Sequence, residues 1–103
     1  MIEANLQQKC VVWYNNNRVI KGLGIIFSVP NEATYQNKRF KYTGVLPGVS
    51  DLIVVEPGRV MFFELKTKTG QQSPAQAKFQ EKVEALGYQY HIIKDLISFI
   101  TKV

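Results

Sequence analysis

The chain has 103 residues, a formal net charge of +5 and a sequence pI near 9.4, and 46% of its residues are hydrophobic. This length predicts one domain, residues 1–103, and the composition excludes a disordered chain. We find no apolar run long enough to span a bilayer and no signal-peptide pattern, so we expect a cytoplasmic protein without a membrane partner. The lone Cys10 and lone His91 exclude an internal disulfide and a Cys/His zinc site. The positive charge favours a polyanionic partner such as nucleic acid.

The N-terminal part of the chain predicts a helix, a strand and a loop. A helix is predicted over residues 2–14 by apolar side chains that recur on one side, namely Ile2, Leu6, Cys10 and Trp13. The asparagine cluster at residues 15–17 should end it. Residues 23–29 form a short β-rich apolar run, which predicts a strand. Residues 31–44 are polar, basic and aromatic without periodicity and predict a long loop.

The middle of the chain predicts an antiparallel hairpin. Residues 51–55 and 60–66 read as strands, and Pro57-Gly58 between them is typical of a type II turn. With these two residues in the turn, the predicted pairs are Glu56 with Arg59, Val55 with Val60, Ile53 with Phe62 and Asp51 with Glu64. Two carboxylates then face each other, unless a bulge shifts the register by one.

A well-marked helix and two further elements follow the hairpin. Ser73 predicts the N-cap, Pro74 suits the first helical position, and Gln76 stands where it can close a capping box. The helix carries an apolar stripe and ends at a glycine: Ala75, Phe79, Val83, Leu86 and then Gly87. Residues 88–93 predict a strand. Asp95 should cap a short helix that carries Leu96, Phe99 and Ile100.

The alternation of the hairpin strands places Asp51, Glu64 and Lys66 on one face. Both faces of the hairpin are otherwise mainly apolar, which predicts burial on both sides. Ionised groups in such a setting are costly unless they pair or bind a metal, and opposed carboxylates need a cation. Hard oxygen ligands suit Mg²⁺ or Mn²⁺. The alternative, with purely structural roles for these residues, is a surface hairpin in which Asp51 caps a turn and Glu64 pairs with Lys66 on an edge strand.

Several motifs resemble the VRR-NUC (virus-type replication-repair nuclease) branch of the PD-(D/E)xK superfamily. They are Pro47-Gly48-Val49-Ser50-Asp51-Leu52, Phe63-Glu64-Leu65-Lys66 and Ser73-Pro74-Ala75-Gln76 before a helix that ends at Gly87-Tyr88. The resemblance implies an α/β fold with a restriction-endonuclease-like mixed β-sheet flanked by helices. It implies Mg²⁺ or Mn²⁺ bound by Asp51, Glu64 and the carbonyl of Leu65, with Lys66 as the catalytic lysine. It also implies catalytic roles for Glu3 and Gln76. One departure is Ser50, which stands where the superfamily often has proline before the first acid.

The resemblance further implies a homodimeric, metal-dependent endonuclease for branched DNA, similar to Holliday junction resolvases, in a bacterial host cell if the chain is phage-encoded. Lys38, Arg39 and Lys41, interleaved with aromatic residues, and Lys68 are the predicted DNA contacts, with Lys78 and Lys82 as further candidates.

Several alternatives stay open. Glu3 could act only on the helix dipole, and Gln76 could act only in the capping box. The fold could serve a non-catalytic DNA-binding module or a flap-, duplex- or sequence-selective nuclease.

Overall fold

The computed structural model describes the backbone of residues 2–30, 44 and 46–103, and the side chains of this set from Asn5 onward. The described elements are α1 (Ile2–Asn17), a 3₁₀ turn (Val19–Lys21), β1 (Ile25–Ser28), β2 (Leu52–Glu56), β3 (Arg59–Leu65), α2 (Pro74–Ala85), β4 (Gln89–Ile93) and α3 (Leu96–Lys102). The loop predicted at residues 31–44 lies, except for Gly44, outside the described residues. Within the described part, every helix is too short or too polar to cross a membrane.

The four strands form one mixed sheet in the order β1-β2-β3-β4. The first three strands are antiparallel, whereas β3 and β4, which α2 connects, are parallel. The hairpin has the predicted register, with Glu56 opposite Arg59, Val55 opposite Val60 and Ile53 opposite Phe62. Gly58 has a φ of 76°, as a type II turn requires at this position. The same register continued beyond Leu52 places Asp51 opposite Glu64.

Helices cover both faces of the sheet, which confirms the predicted α/β class. The core lies between the sheet and the pair α1 and α3, and consists of Leu6, Cys10, Tyr14, Leu52, Val54, Met61, Phe63, Leu65, Ile93 and Phe99. On the opposite face, Phe79 of α2 packs edge-on against Phe62 and also contacts the ring of Tyr90. Strand β3 therefore has a neighbour on each side and a helix layer on each face. This position excludes the alternative of a surface hairpin with an edge strand.

The structure corrects some predicted boundaries at helix ends. α1 does not end at residue 14 but continues to Asn17, because Asn17 Nδ2 donates a 2.8 Å hydrogen bond to the carbonyl of Trp13 in the last turn. The prediction that the asparagine cluster breaks the helix was therefore wrong. Leu86, predicted on the apolar stripe of α2, follows the last helical residue and is 75% exposed. Gly87 has a φ of 91°, as predicted for the helix end.

The turn end of the hairpin holds a nearly buried carboxylate, Glu56. Its Oε2 accepts a 2.5 Å hydrogen bond from the Tyr14 hydroxyl, and its Oε1 accepts from Nε and Nη2 of Arg59 at 2.9 and 2.7 Å. Arg18 Nη1 lies 3.5 Å from Oε2. Burial raises the pKa of Glu56, but the hydrogen bonds from Tyr14 and Arg59 outweigh it and hold the pKa below the usual 4.5. This cluster joins α1 to the hairpin turn.

Gly48 brings the loop before β2 into direct contact with α2. It is buried and has a φ of 83°, a conformation that favours glycine. A Cβ at this position would overlap the carbonyl group of Ala75 and lie 2.8 Å from the backbone nitrogen of Gln76. The absence of a side chain therefore allows the segment that leads into Asp51 to lie against the first turn of α2.

We expect Gly48→Ala to lower the free energy of unfolding by about 2–4 kcal/mol, because it combines a left-handed backbone with overpacking. Urea unfolding followed by circular dichroism measures this change. Gly58→Ala is the matched control, since Gly58 has a φ of 76° but its Cβ would meet nothing within 4 Å. It should cost only about 1–2 kcal/mol. Equal losses in the two variants would contradict the close approach at Gly48.

Candidate active site

The hairpin and its flanking residues bring Asp51, Glu64 and Lys66 to one end of the sheet. Asp51 directly precedes β2, and Glu64 is the penultimate residue of β3. Asp51 Oδ2 accepts a 2.7 Å hydrogen bond from the backbone amide of Leu65, which fixes this carboxylate across the two strands. The predicted pairing of the two acids therefore follows from the hairpin register and from this bond.

Glu64 is a fully buried carboxylate with two differently placed oxygens. Its relative exposure is 0%, and Oε1 accepts a hydrogen bond from the Tyr90 hydroxyl. Oε2 lies 3.4 Å from Lys66 Nζ, which makes an ion pair, but it accepts no hydrogen bond from any residue that the structure describes. A buried oxygen of this kind is costly unless a further partner binds it.

Tyr90 is a site residue that the sequence reasoning missed. β4 pairs with β3 so that Tyr90 stands opposite Phe62 and shares the face of Glu64. Burial, and then the hydrogen bond to Glu64, raise the pKa of Tyr90 well above its ordinary value, and the charge of Asp51 acts in the same direction. The hydroxyl therefore stays protonated as a donor.

Gln76 takes part in the capping box that the sequence predicted. Ser73 Oγ accepts from the Gln76 amide at 3.2 Å, and Gln76 Oε1 accepts from the Ser73 amide at 2.8 Å. This arrangement satisfies two of the free donors at the start of α2. The helix also starts beside the site, because Gly48 lies against the Gln76 backbone. The cap thus uses the side-chain oxygen of Gln76 and does not involve its Nε2 group.

The structure describes only some of the remaining predicted site residues. Glu3 belongs to α1, but its side chain lies outside the described residues, and so do Lys38, Arg39 and Lys41. Lys68 is exposed in the loop after β3, and its carbonyl accepts a 3.0 Å hydrogen bond from Lys94 Nζ.

Lys78 and Lys82, the further candidates, line a groove of about 350 Å³ beside the first turns of α2. Its other walls are Leu46, Pro47, Pro74, Ala75 and Phe79.

The donor set at the hairpin end fits a small, hard divalent cation. Asp51 and Glu64 supply carboxylate oxygens, and Glu64 Oε2 is the buried oxygen that lacks a hydrogen bond. Among residues 5–30 and 46–103, no group of three or more His, Cys, Asp or Glu side chains is placed to hold a metal ion. Such a cation would therefore take its remaining ligands from backbone, water or phosphate oxygens, as Mg²⁺ commonly does.

Comparison with known proteins finds similarity at the level of the fold. No family model matches the sequence, and no curated protein does so. A solved structure described as "VRR_NUC domain protein" superposes with a TM-score of 0.78 at 20% identity, covering 99% of this chain and 84% of that one. The chain has the VRR_NUC fold. A second structure, "VRR_NUC domain", gives a TM-score of 0.69 at 18% identity, over 98% of this chain and 92% of the other.

The VRR_NUC fold confirms the resemblance that the sequence motifs indicated, at the level of the fold. Its mixed sheet with flanking helices is the architecture expected from the sequence. In this chain the motif residues Asp51, Glu64 and Lys66 meet at one end of the central hairpin.

We expect Mg²⁺ or Mn²⁺ to raise the thermal midpoint of the wild type, because a cation on Glu64 Oε2 would bind the folded state alone. At ten times the dissociation constant the gain is about 1.4 kcal/mol, or roughly 5–10 °C for a domain of this size. Glu64→Gln should lose this gain.

Glu56→Gln is the matched control for this melt, since the oxygens of Glu56 already have partners. It should lower the midpoint without metal and keep the metal-dependent rise. A rise that persists in Glu64→Gln would place the cation elsewhere.

Proposed function

We propose that this chain is an endodeoxyribonuclease that hydrolyses DNA phosphodiesters with Mg²⁺ or Mn²⁺. The observation that carries the proposal is the buried Glu64, whose Oε2 lacks a hydrogen bond from the described residues and lies 3.4 Å from Lys66 Nζ. Asp51 stands opposite on the neighbouring strand. The nuclease fold supports the same conclusion.

Asp51, Glu64 and the carbonyl of Leu65 are the proposed ligands of the cation. When bound, it would polarise a phosphodiester and lower the pKa of a water molecule. The Leu65 amide keeps the Asp51 carboxylate in place by their 2.7 Å hydrogen bond, so the ligand is oriented before substrate binds. Lys66 stands beside Glu64, where its ammonium group would orient the nucleophile or stabilise negative charge on the phosphorane-like transition state.

Glu3 and Gln76 have secondary roles in the proposal. Glu3 would add a carboxylate to the site from α1, as in the superfamily that the sequence resembles. Gln76 uses its Oε1 for the cap of α2, so its Nε2 is the group that would donate to a phosphate oxygen. Any catalytic effect of Gln76→Ala must therefore be compared with Ser73→Ala, which opens the same cap.

The proposed substrate is a four-way DNA junction, and the proposed active form is a homodimer. A four-way junction offers two equivalent strands, and a two-fold axis places two identical sites at a fixed spacing on them. The resemblance to Holliday junction resolvases supports this choice.

Lysines on both sides of the hairpin end are the proposed phosphate contacts. Lys78 and Lys82 are four residues apart on α2, so they project to the same side along its groove. Lys68 lies in the loop after β3, and Lys38, Arg39 and Lys41 would add contacts from the segment outside the described residues. Their positive charge would release counterions from the DNA backbone.

We expect the wild type with Mg²⁺ to cut a labelled four-way junction by paired, symmetric nicks, while Asp51→Asn and Lys66→Ala lose at least about 100-fold in rate. Single-turnover cleavage on denaturing gels measures both the rate and the pairing of nicks. Light scattering of the same preparation should give the mass of a dimer.

Other DNA substrates and a variant of the α2 cap separate the alternative functions. Ser73→Ala should lower stability by about 1 kcal/mol and leave the cleavage rate within a few-fold of the wild type. Equal cutting of a flap or plain duplex would remove the junction preference but not the nuclease. Binding without cleavage in Mg²⁺ and in Mn²⁺ would instead favour a non-catalytic DNA-binding module.

We expect Lys78→Gln/Lys82→Gln to weaken junction binding uniformly and to reduce the slope of log affinity against log salt by about 1–2, since each phosphate contact contributes about 0.9. Fluorescence anisotropy in EDTA measures binding without cleavage. Lys9→Gln/Lys21→Gln removes the same charge from exposed positions on α1 and the 3₁₀ turn, and should leave the slope unchanged. Equal slope changes in both pairs would mean that only net charge matters.

A further inference from the structure

The Tyr90 hydroxyl is the one group described that donates a hydrogen bond to the carboxylate of Glu64. Both residues are buried, with relative exposures of 6% and 0%. The hydroxyl takes Oε1 and leaves Oε2 as the oxygen without a hydrogen bond from the described residues. The two oxygens of this proposed ligand are therefore not equivalent, and the difference comes from β4.

Two neighbouring elements, β3 and α2, fix the position of the Tyr90 ring. The parallel register places Tyr90 opposite Phe62 on β3. Phe79 of α2 packs on its ring, with centroids 6.0 Å apart. The donor therefore has little freedom to leave Oε1.

A carboxylate with one oxygen occupied by a donor binds a cation most readily through its other oxygen. Mg²⁺ is small, demands near-octahedral geometry and accepts single carboxylate oxygens, as does the similar Mn²⁺. Ca²⁺ is larger, takes six to eight oxygens and often gains two of them from one carboxylate. Whether Glu64 binds through one oxygen or through two should therefore influence which ion the site prefers.

We propose that Tyr90 is a positioning residue that sets the metal preference of the site, because its hydroxyl on Oε1 restricts Glu64 to one-oxygen binding and so disfavours Ca²⁺ relative to Mg²⁺ and Mn²⁺. This inference rests on the proposed metal-dependent function. It assigns no contact with DNA to Tyr90. The Tyr90 hydroxyl acts only through Glu64, in the way that outer partners orient metal-bound carboxylates.

The test is metal binding by the full chain without DNA. Electron paramagnetic resonance follows the loss of the free Mn²⁺ signal on binding, and Mg²⁺ or Ca²⁺ is then added to displace the bound Mn²⁺. For Tyr90→Phe we expect weaker Mn²⁺ and Mg²⁺ binding, by about tenfold, and little change for Ca²⁺. The ratio of Ca²⁺ to Mg²⁺ needed for half displacement should therefore fall about tenfold.

Tyr14→Phe is the matched control, because Tyr14 also donates a buried hydroxyl to a glutamate, Glu56, at the opposite end of the hairpin. It should leave the ratio unchanged. Urea unfolding of both variants separates loss of fold from loss of preference. If Tyr90→Phe does not fold, Phe79→Leu, which removes the ring that packs on Tyr90, should lower the ratio in the same direction.

Three results would overturn the proposal. A folded Tyr90→Phe with the wild-type ratio would overturn it and leave the proposed nuclease intact. A folded Phe79→Leu with the wild-type ratio would do the same where Tyr90→Phe fails to fold. A wild type that binds none of the three ions and cuts no DNA would overturn both this inference and the proposed function.

Discussion

The site depends on a carboxylate that is buried near the end of a central strand of the sheet. Moving an ionised glutamate out of water costs several kcal/mol unless nearby groups compensate. For Glu64 the compensation comes from two elements, since β4 supplies the Tyr90 hydroxyl and the end of β3 supplies the Lys66 ammonium. Strands flank β3 on both sides and helices cover both faces, so a residue on this strand is buried. One of the flanking strands, β4, also brings the Tyr90 hydroxyl to the carboxylate. The central position of β3 thus creates both the cost of the charge and the means to offset it.

The same hairpin contains a second carboxylate that shows what full compensation looks like. Glu56 receives the Tyr14 hydroxyl on one oxygen and two guanidinium donors of Arg59 on the other, with Arg18 nearby. Its needs are met within the chain, and its effect is to fix α1 against the turn. Glu64 has a tyrosine partner of the same kind but keeps one oxygen without a hydrogen bond from the described residues. This difference distinguishes a structural carboxylate from one suited to bind a cation.

The sequence predicts the local parts of this arrangement and misses the contacts made across the sheet. The register of Asp51 and Glu64 follows from two turn residues, Pro57 and Gly58, because a hairpin register is set by its turn. The capping box at Ser73 is equally local. Tyr90 reaches Glu64 only through parallel pairing after a crossover helix, and no turn sets that register. Tyr14, fully buried, was also missed, since its role depends on a partner 42 residues away.

α2 connects the proposed metal site with the proposed DNA contacts. Its first turn contacts Gly48, so the segment that leads into Asp51 is held against this helix. One turn further along, Phe79 packs on Tyr90, whose hydroxyl orients Glu64. The exposed side of the same helix carries Lys78, so a phosphate bound there would be held in a fixed relation to both acids. Because these contacts fix the backbone of α2, the helix would need little reordering when DNA binds. This lowers the entropy cost of bringing a phosphodiester to the site.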